Sequence, residues 1–353
     1  MDNIDNKPQP EKKSPKRKKG WLIAGGALLL IVLGAAAWAL PYFTTKAPHE
    51  AMLYMKLGTP LEEVGDSLRA KLGDEYTDRV MSLLRLTKAN LSVRHGAFKI
   101  EEGESAWALM RHLRSGPTTP IRVTFNNVRT KGELSRRLTA RLMMDSTQMR
   151  QALDNDTLCQ RYGMDTTSIV TMFLPDTYMF EWDISPEALL NAMHTYYNKF
   201  WTDANLNKAK AIGLTPQQVA TLASIVDEET AKADEKPMVA RLYLNRLERG
   251  IKLQADPTVK FALGDFTIRR ITNAMLQVES PYNTYRVTGL PPGPIRLPEK
   301  ATLEAVLNAP QHDYIFMCAR EDFSGYHNFA TTNAEHEANA RRYHQALNER
   351  GIK

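Results

Sequence analysis

The residues best placed to do chemistry are three consecutive acids, Asp227, Glu228 and Glu229. They end the run T-P-Q-Q-V-A-T-L-A-S-I-V-D-E-E-T, residues 215–230. A carboxyl serves as a general acid near neutral pH when burial penalises its charged form and raises its pKa. The question is therefore which of the three is desolvated. The run predicts a helix, with Thr215 as N-cap, Pro216 at the first helical position and Gln218 able to close a capping box. Val219, Leu222, Ala223, Ile225 and Val226 recur at helical spacing. Each residue turns about 100° around the axis. Glu229 then projects from the apolar face, while Asp227 and Glu228 point to either side. Glu229 is the candidate catalytic acid, and amide substitutions at Asp227 and Glu228 are expected to be much milder. The alternative is a helix that simply ends there, with Glu229 a solvated or structural carboxylate.

Three later stretches read as polar or Pro/Gly-rich loops: L-Q-A-D-P-T-V (253–259), Y-N-T-Y-R-V-T-G-L-P-P-G-P-I (282–295) and H-N-F-A-T-T-N (327–333). They carry Gln254, Asp256, Thr258, Tyr282, Asn283, Thr284, Tyr285, His327 and Asn333. Amides and hydroxyls donate to and accept from sugar hydroxyls, and aromatic faces cover the C–H surface of a sugar ring. An earlier stretch, F-L-P-D-T-Y-M-F (173–180), reads as a rigid loop with Asp176 and Thr177 at its rim. Any one of these loops could equally be an ordinary surface turn. There is no C-x-x-C and no histidine pair at ligand spacing, which argues against a metal site, and nothing calls for a cofactor. The two cysteines, Cys159 and Cys318, could pair in an oxidising compartment or remain buried free thiols.

These residues need elements to hold them. Trp21 to Leu40 is an uncharged run of twenty residues, long enough to cross a bilayer core as a helix. Lys12, Lys13, Lys16, Arg17, Lys18 and Lys19 precede it, so the positive-inside rule keeps residues 1–20 in the cytoplasm and exports the rest. A cleaved signal peptide is the competing reading, but the apolar run is longer than a usual signal core. The net charge is +6; residues 1–40 hold seven basic and three acidic residues, hence +4, and the remainder carries +2. The basic balance thus belongs to the membrane-orienting tail and is no argument for nucleic-acid binding.

After a short tether, residues 41–117 predict a small α+β module. M-L-Y-M-K and H-G-A-F-K-I read as strands, and helices follow over 61–72, 74–88 and about 104–116. Residues 118–353 form the larger region. A β-rich start at 118–125 leads to helices over 130–142, 146–162, 185–201, 215–229, 236–249 and 331–350. The predicted class is α+β: a transmembrane helix, a small module and a mainly helical domain with short β segments.

A-S-I-V-D-E-E-T, N-R-L-x-x-G, L-Q-A-D-P-T-V, Y-N-T-Y-x-x-x-G-L-P-P-G-P-I and H-x-F together resemble the endolytic murein transglycosylase family, MltG or YceG-like. The order agrees from about Phe173 to the carboxyl end. The resemblance implies that the small module is LysM-like. It also implies cleavage of the β-1,4 bond between N-acetylmuramic acid and N-acetylglucosamine in peptidoglycan strands, leaving 1,6-anhydro ends. The family's catalytic glutamate, last acid of a pattern usually read A-S-I-[IV]-E-K-E-[TA], falls on Glu229. Asp227 and Glu228 depart from that pattern. The L-Q-A-D-P-T, Y-N-T-Y and G-L-P-P-G residues would line the glycan cleft. An inner-membrane location and membrane-bound peptidoglycan synthases as partners are further expectations. A two-carboxylate hydrolase using Asp256 or Asp176, and a tethered glycan-binding scaffold without activity, stay open as rivals.

Overall fold

The computed structural model describes residues 16–351 apart from positions 90 and 92. The first part of the expected cytoplasmic tail, with Lys12 and Lys13, lies outside the described residues. The chain forms two compact units, residues 1–119 and 120–353.

The first unit opens with α1 (Lys16–Thr44). Within it Trp21–Thr44 is long and apolar enough to cross a membrane; its large side chains from Trp21 to Leu40 are exposed rather than packed, while Tyr42 is buried in the core of the unit that follows. The helix runs four residues past the expected end at Leu40. Pro41 sits inside it without breaking it, and the Thr44 hydroxyl donates to the Leu40 carbonyl. Then come β1 (Ala51–Met55), α2 (Leu61–Leu72), α3 (Asp74–Leu86), β2 (Gly96–Ile100) and α4 (Ala106–Ser115). β1 and β2 pair antiparallel, with Leu53 opposite Phe98. Leu53, Met55, Leu68, Val80, Leu84, Phe98 and Leu109 meet in one buried cluster. Gly73 alone links α2 to α3. It holds φ 82°, a conformation that costs glycine little.

In the second unit β3 (Ile121–Phe125) alternates buried and exposed residues and pairs antiparallel with β4 (Asp176–Phe180). Between them lie α5 (Lys131–Thr139), α6 (Ser146–Leu153) and α7 (Asp156–Gln160). The remaining elements are α8 (Pro186–Phe200), α9 (Asp203–Ala211), α10 (Pro216–Glu229), α11 (Lys236–Glu248), α12 (Asp256–Leu263), α13 (Lys300–Leu307), β5 (Phe316–Ala319), β6 (His327–Ala330) and α14 (Asn333–Glu349).

Several expectations are corrected. The helix expected over 146–162 is two, because Asn155 caps a new start by accepting from the Leu158 N–H. The stretch 173–180 ends as strand β4, where Phe125 and Tyr178 stack. The L-Q-A-D-P-T-V loop turns into α12 at Asp256, with Pro257 in its first turn. His327–Ala330 is a strand paired with β5. Helices α9 and α13 were not foreseen.

Helix α10 starts as expected, with the Thr215–Gln218 capping box in place. It packs against α11, α12 and α13. Val219, Leu222, Ile225, Val226, Leu242, Leu303 and Val306 are buried. One polar knot crosses this packing. The Lys236 ammonium donates to Asp227 Oδ1 at 2.7 Å, to Thr302 Oγ1 at 2.9 Å and to Glu299 at 3.1 Å. The Glu299 N–H and Thr302 hydroxyl also donate to Asp227. Burial alone would lower the Lys236 pKa, but bonding to Asp227 and Glu299 outweighs it and holds the pKa above its ordinary value.

Candidate active site

Glu229 is the last residue of α10. It stands on the wall of a cavity of about 480 Å³, within the roughly 300–1,000 Å³ common for ligand sites. Burial pushes its pKa up to about 7, and the negative charge of Asp256 pushes the same way. Its position at a helix C-terminus, where the macrodipole disfavours anions, adds to this. The Tyr243 hydroxyl donates to Glu229 Oε1 at 2.7 Å and favours the charged form, as do His327 and Lys260, but they do not cancel the burial. Glu229 keeps some surface toward the cavity, yet protein encloses it on the other sides. Few waters can solvate its anion.

Tyr243 comes from α11. Its own pKa is pushed well above the ordinary value by burial and by Glu229, so it stays a proton donor. Beside it, Gln254 precedes α12 in a left-handed conformation, φ 54°. Its side-chain oxygen accepts from Arg246, and its backbone N–H donates to the Thr284 carbonyl. Asp256 opens α12 and accepts from the Tyr285 hydroxyl at 2.6 Å. His327 lies on β6. Glu235, just before α11, accepts from the His327 backbone N–H at 2.6 Å and bonds Nδ1 at 2.9 Å, which fixes the imidazole.

The structure therefore brings Glu229, Gln254, Asp256, Tyr285, His327 and Asn333 to one cavity. Thr258, Asn283 and Thr284 are near it but are 0 % exposed, so their side chains offer no surface to a ligand. They support the wall. The Asn283 amide donates to the carbonyls of Leu276 and Val278, and its oxygen accepts from the Tyr285 N–H. The Thr258 and Thr284 hydroxyls bond each other at 2.8 Å, and Thr284 accepts from the Ala255 N–H. Tyr282 lines a different cavity. Asp176 and Thr177 line neither: Asp176 pairs with Lys300, and the Thr177 hydroxyl bonds Thr124. Glu235 and Tyr243 are the contributors that sequence reasoning missed.

The three acids meet three different surroundings. Glu229 does project into its own environment, but Asp227 does not point to solvent. Its side chain is 3 % exposed, inside the Lys236 knot. Glu228 accepts from Arg129 at 2.7 Å and from Arg296 at 3.1 Å. Around Asp227 and Glu228 the end of α10 is packed by α11, α13 and the two arginines, so leaving the apolar stripe does not mean reaching water. Cys159 and Cys318 are both free thiols, the first buried and the second half-buried. Among the described residues no three His, Cys, Asp or Glu side chains are grouped to hold a metal.

The model of the YceG-like family matches residues 53–342. The chain belongs to the YceG-like family. Two relatives are named endolytic murein transglycosylases. The one from Bacillus subtilis (strain 168) is 26 % identical over 271 residues, covering 72 % of this chain and 74 % of its own length. The one from Streptococcus pneumoniae serotype 2 is 23 % identical over 320 residues, covering 81 % of this chain and 58 % of its own length. The chain thus spans little more than half of the pneumococcal relative. A YceG-like protein from Listeria monocytogenes, known from a 2.6 Å crystal structure, shares the fold with TM-score 0.55 at 21 % identity, over 82 % of this chain and 98 % of that one.

Proposed function

We propose that this protein is a membrane-anchored endolytic transglycosylase. It cuts the MurNAc-β-1,4-GlcNAc bond within nascent peptidoglycan strands and leaves 1,6-anhydro-MurNAc ends. The observation that carries the chemistry is Glu229 on the cavity wall, enclosed by protein and hydrogen-bonded by the Tyr243 hydroxyl; burial pushes its pKa up to about 7, so acid and base forms coexist near neutral pH. The names of the two relatives support the substrate class.

The reaction uses both forms. Tyr243 engages Glu229 Oε1, which leaves Oε2 to carry the proton. Protonated Glu229 gives that proton to the glycosidic oxygen as the bond to the muramic C1 carbon breaks. The acetamido oxygen of the same sugar shares the charge that develops on C1. The Glu229 carboxylate then accepts the proton of the muramic C6 hydroxyl, whose oxygen closes onto C1. The proton returns to its starting place, one C–O bond replaces another, and no water enters. Gln254, Asp256, Tyr285, His327 and Asn333 are the groups that orient the sugars.

One observation favours a second reading. Asp256 lines the same cavity, so a two-carboxylate hydrolase with Asp256 as base is the rival. Digesting purified glycan strands with the full chain and weighing the products separates the two. Anhydro ends support the transglycosylase, and free reducing ends overturn it. Binding without new ends would mean a scaffold.

The small unit is LysM-like in this reading, supported by its strand–helix–helix–strand order and antiparallel pair. It would hold glycan. Helix α1 would cross the bacterial inner membrane once, with the N-terminus cytoplasmic, confining the enzyme to where membrane peptidoglycan synthases release new strands. A reporter active only outside the cytoplasm, fused after Thr45, should be active; an inactive fusion reverses the orientation.

A further inference from the structure

A second cavity in residues 120–353, of about 310 Å³, has a composition the reaction does not use. Arg129, Lys131, Arg150 and Arg296 line it, beside the rings of Phe261 and Tyr282 at 4.7 Å. Among the described residues these four cations form ion pairs with two carboxylates, while Glu133 accepts from the Arg129 backbone N–H. Arg129 and Arg296 share Glu228, and Lys131 and Arg150 share Asp154. A guanidinium has more N–H donors than one carboxylate oxygen can satisfy; among the described residues the buried Arg296 Nε also has no acceptor. Gly293 lets the wall close: a Cβ there would stand 3.0 Å from Thr167 Cγ2 and 3.3 Å from the Tyr282 hydroxyl.

Two elements connect this cavity to the first. On α10, Glu229 serves one and its neighbour Glu228 holds the cations of the other. On α12, Asp256 lines the first cavity and Phe261 the second. A small space between them is lined by Pro257 and Lys260 of the same helix, with Arg129 and Glu228. At about 1.5 Å per residue, Asp256 and Phe261 are roughly 7–8 Å apart along the helix axis. The same five residues turn about 140° around the axis, so the two cavities open on different sides of α12, and a branch carried by a strand in the first is what would reach the second.

We propose that this second cavity is a subsite for the acidic peptide branch of the glycan strand. Carboxylates of the branch sit on Arg129 and Arg296, and its aliphatic parts lie against Phe261 and Tyr282. The charge excess selects an anion, the rings select an organic one, and the connection along α12 selects one carried on the polymer being cut. The inference rests on the glycan reading above and adds that the enzyme distinguishes peptide-bearing from bare strands.

The test measures binding of the full chain in detergent to two substrates, glycan strands with their peptides and the same strands after the peptides are removed enzymatically. Glu229→Gln is used as background so that strands stay intact. The peptide-bearing strands should bind more tightly. Arg129→Gln and Arg296→Gln should each weaken that binding about 10-fold or more, the usual cost of losing a charged hydrogen bond, while bare strands change less than about twofold. Glu228→Gln removes the internal competitor and should strengthen binding of the peptide-bearing strands. Equal weakening on both substrates marks the arginines as structural and overturns the inference, as does equal binding of both by the parent. Comparable competition by inorganic pyrophosphate would make the cavity a general anion site and also overturn it. Failure to bind either strand overturns the glycan reading itself.

Discussion

Asp227 and Glu229 stand two residues apart on one helix end, in regions built on opposite plans. Asp227 accepts from Lys236, Thr302 and the Glu299 N–H, and holds α10 to α11 and α13. Glu229 has a neutral phenol as hydrogen-bond partner, the charge of Asp256 against it, and an open cavity in front. A buried carboxyl matched by a cation is a fastener. One left unmatched holds its proton to higher pH, which is what a proton carrier near neutral pH needs. The difference lies in what packs around each acid.

The largest expected effect tests the proton carrier. Glu229→Gln keeps the shape and removes the proton, and should cost at least about 10²-fold in forming anhydro ends with strand binding retained. It also carries a signature in stability. The folded-state pKa of about 7 lies above the ordinary 4.5, so the folded chain binds this proton more tightly than the unfolded one. Its contribution falls as pH rises between those values, reaching a cost of as much as about 3 kcal/mol above pH 7. Glu229→Gln should therefore raise the melting temperature relative to wild type at pH 8 and raise it less at pH 5. A variant that stays active, or that melts lower at pH 8, breaks the comparison.

Asp227→Asn tests the fastener. Removing one member of a buried pair leaves Lys236 poorly compensated, and the expected loss of stability is about 3–5 kcal/mol. Activity per folded molecule should fall far less than for Glu229→Gln. The mild effect on activity expected from helical phase is kept, and the cost falls on stability instead. Wild-type melting of Asp227→Asn would make the two acids equivalent after all.

Tyr243→Phe should act more gently. Its hydroxyl lowers the Glu229 pKa, so its loss should move the upper limb of the pH–rate profile to higher pH, with the maximal rate reduced several-fold. A limb that stays in place would detach that limb from Glu229. The smallest pair separates cavity from support. Gln254→Ala should cost about 2- to 13-fold in turnover with little change in melting. Asn283→Ala strands the Leu276 and Val278 carbonyls and should cost about 1–3 kcal/mol of stability. The reverse pattern would exchange their roles.

Glu229 was legible because helical phase depends only on spacing, and the apolar residues of α10 are unambiguous. The Y-N-T-Y stretch was legible as special but not as to how. A buried amide satisfying its own loop, as Asn283 does, and an exposed amide awaiting a sugar look alike in sequence. Tyr243 and Glu235 were hidden because a buried tyrosine in an amphipathic helix and a glutamate in a charged turn are ordinary. Only the fold brings them to Glu229 and His327. Helix α12 was missed because Gln254 and Asp256 around Ala255 suggest a turn, and the start it contains carries no side-chain cap. The paired strands β5 and β6 are four residues each, too short to show a period.

The backbone at Gln254 has a bearing on how this cavity can vary among descendants of the same gene. A non-glycine residue at φ 54° excludes β-branched side chains and tolerates asparagine or glycine best. Both of those would keep the turn into α12, but glycine would lose the amide altogether and asparagine would withdraw it by one carbon. Drift at this position is therefore channelled by conformation toward changes that preserve the shape of the cavity while altering what it recognises.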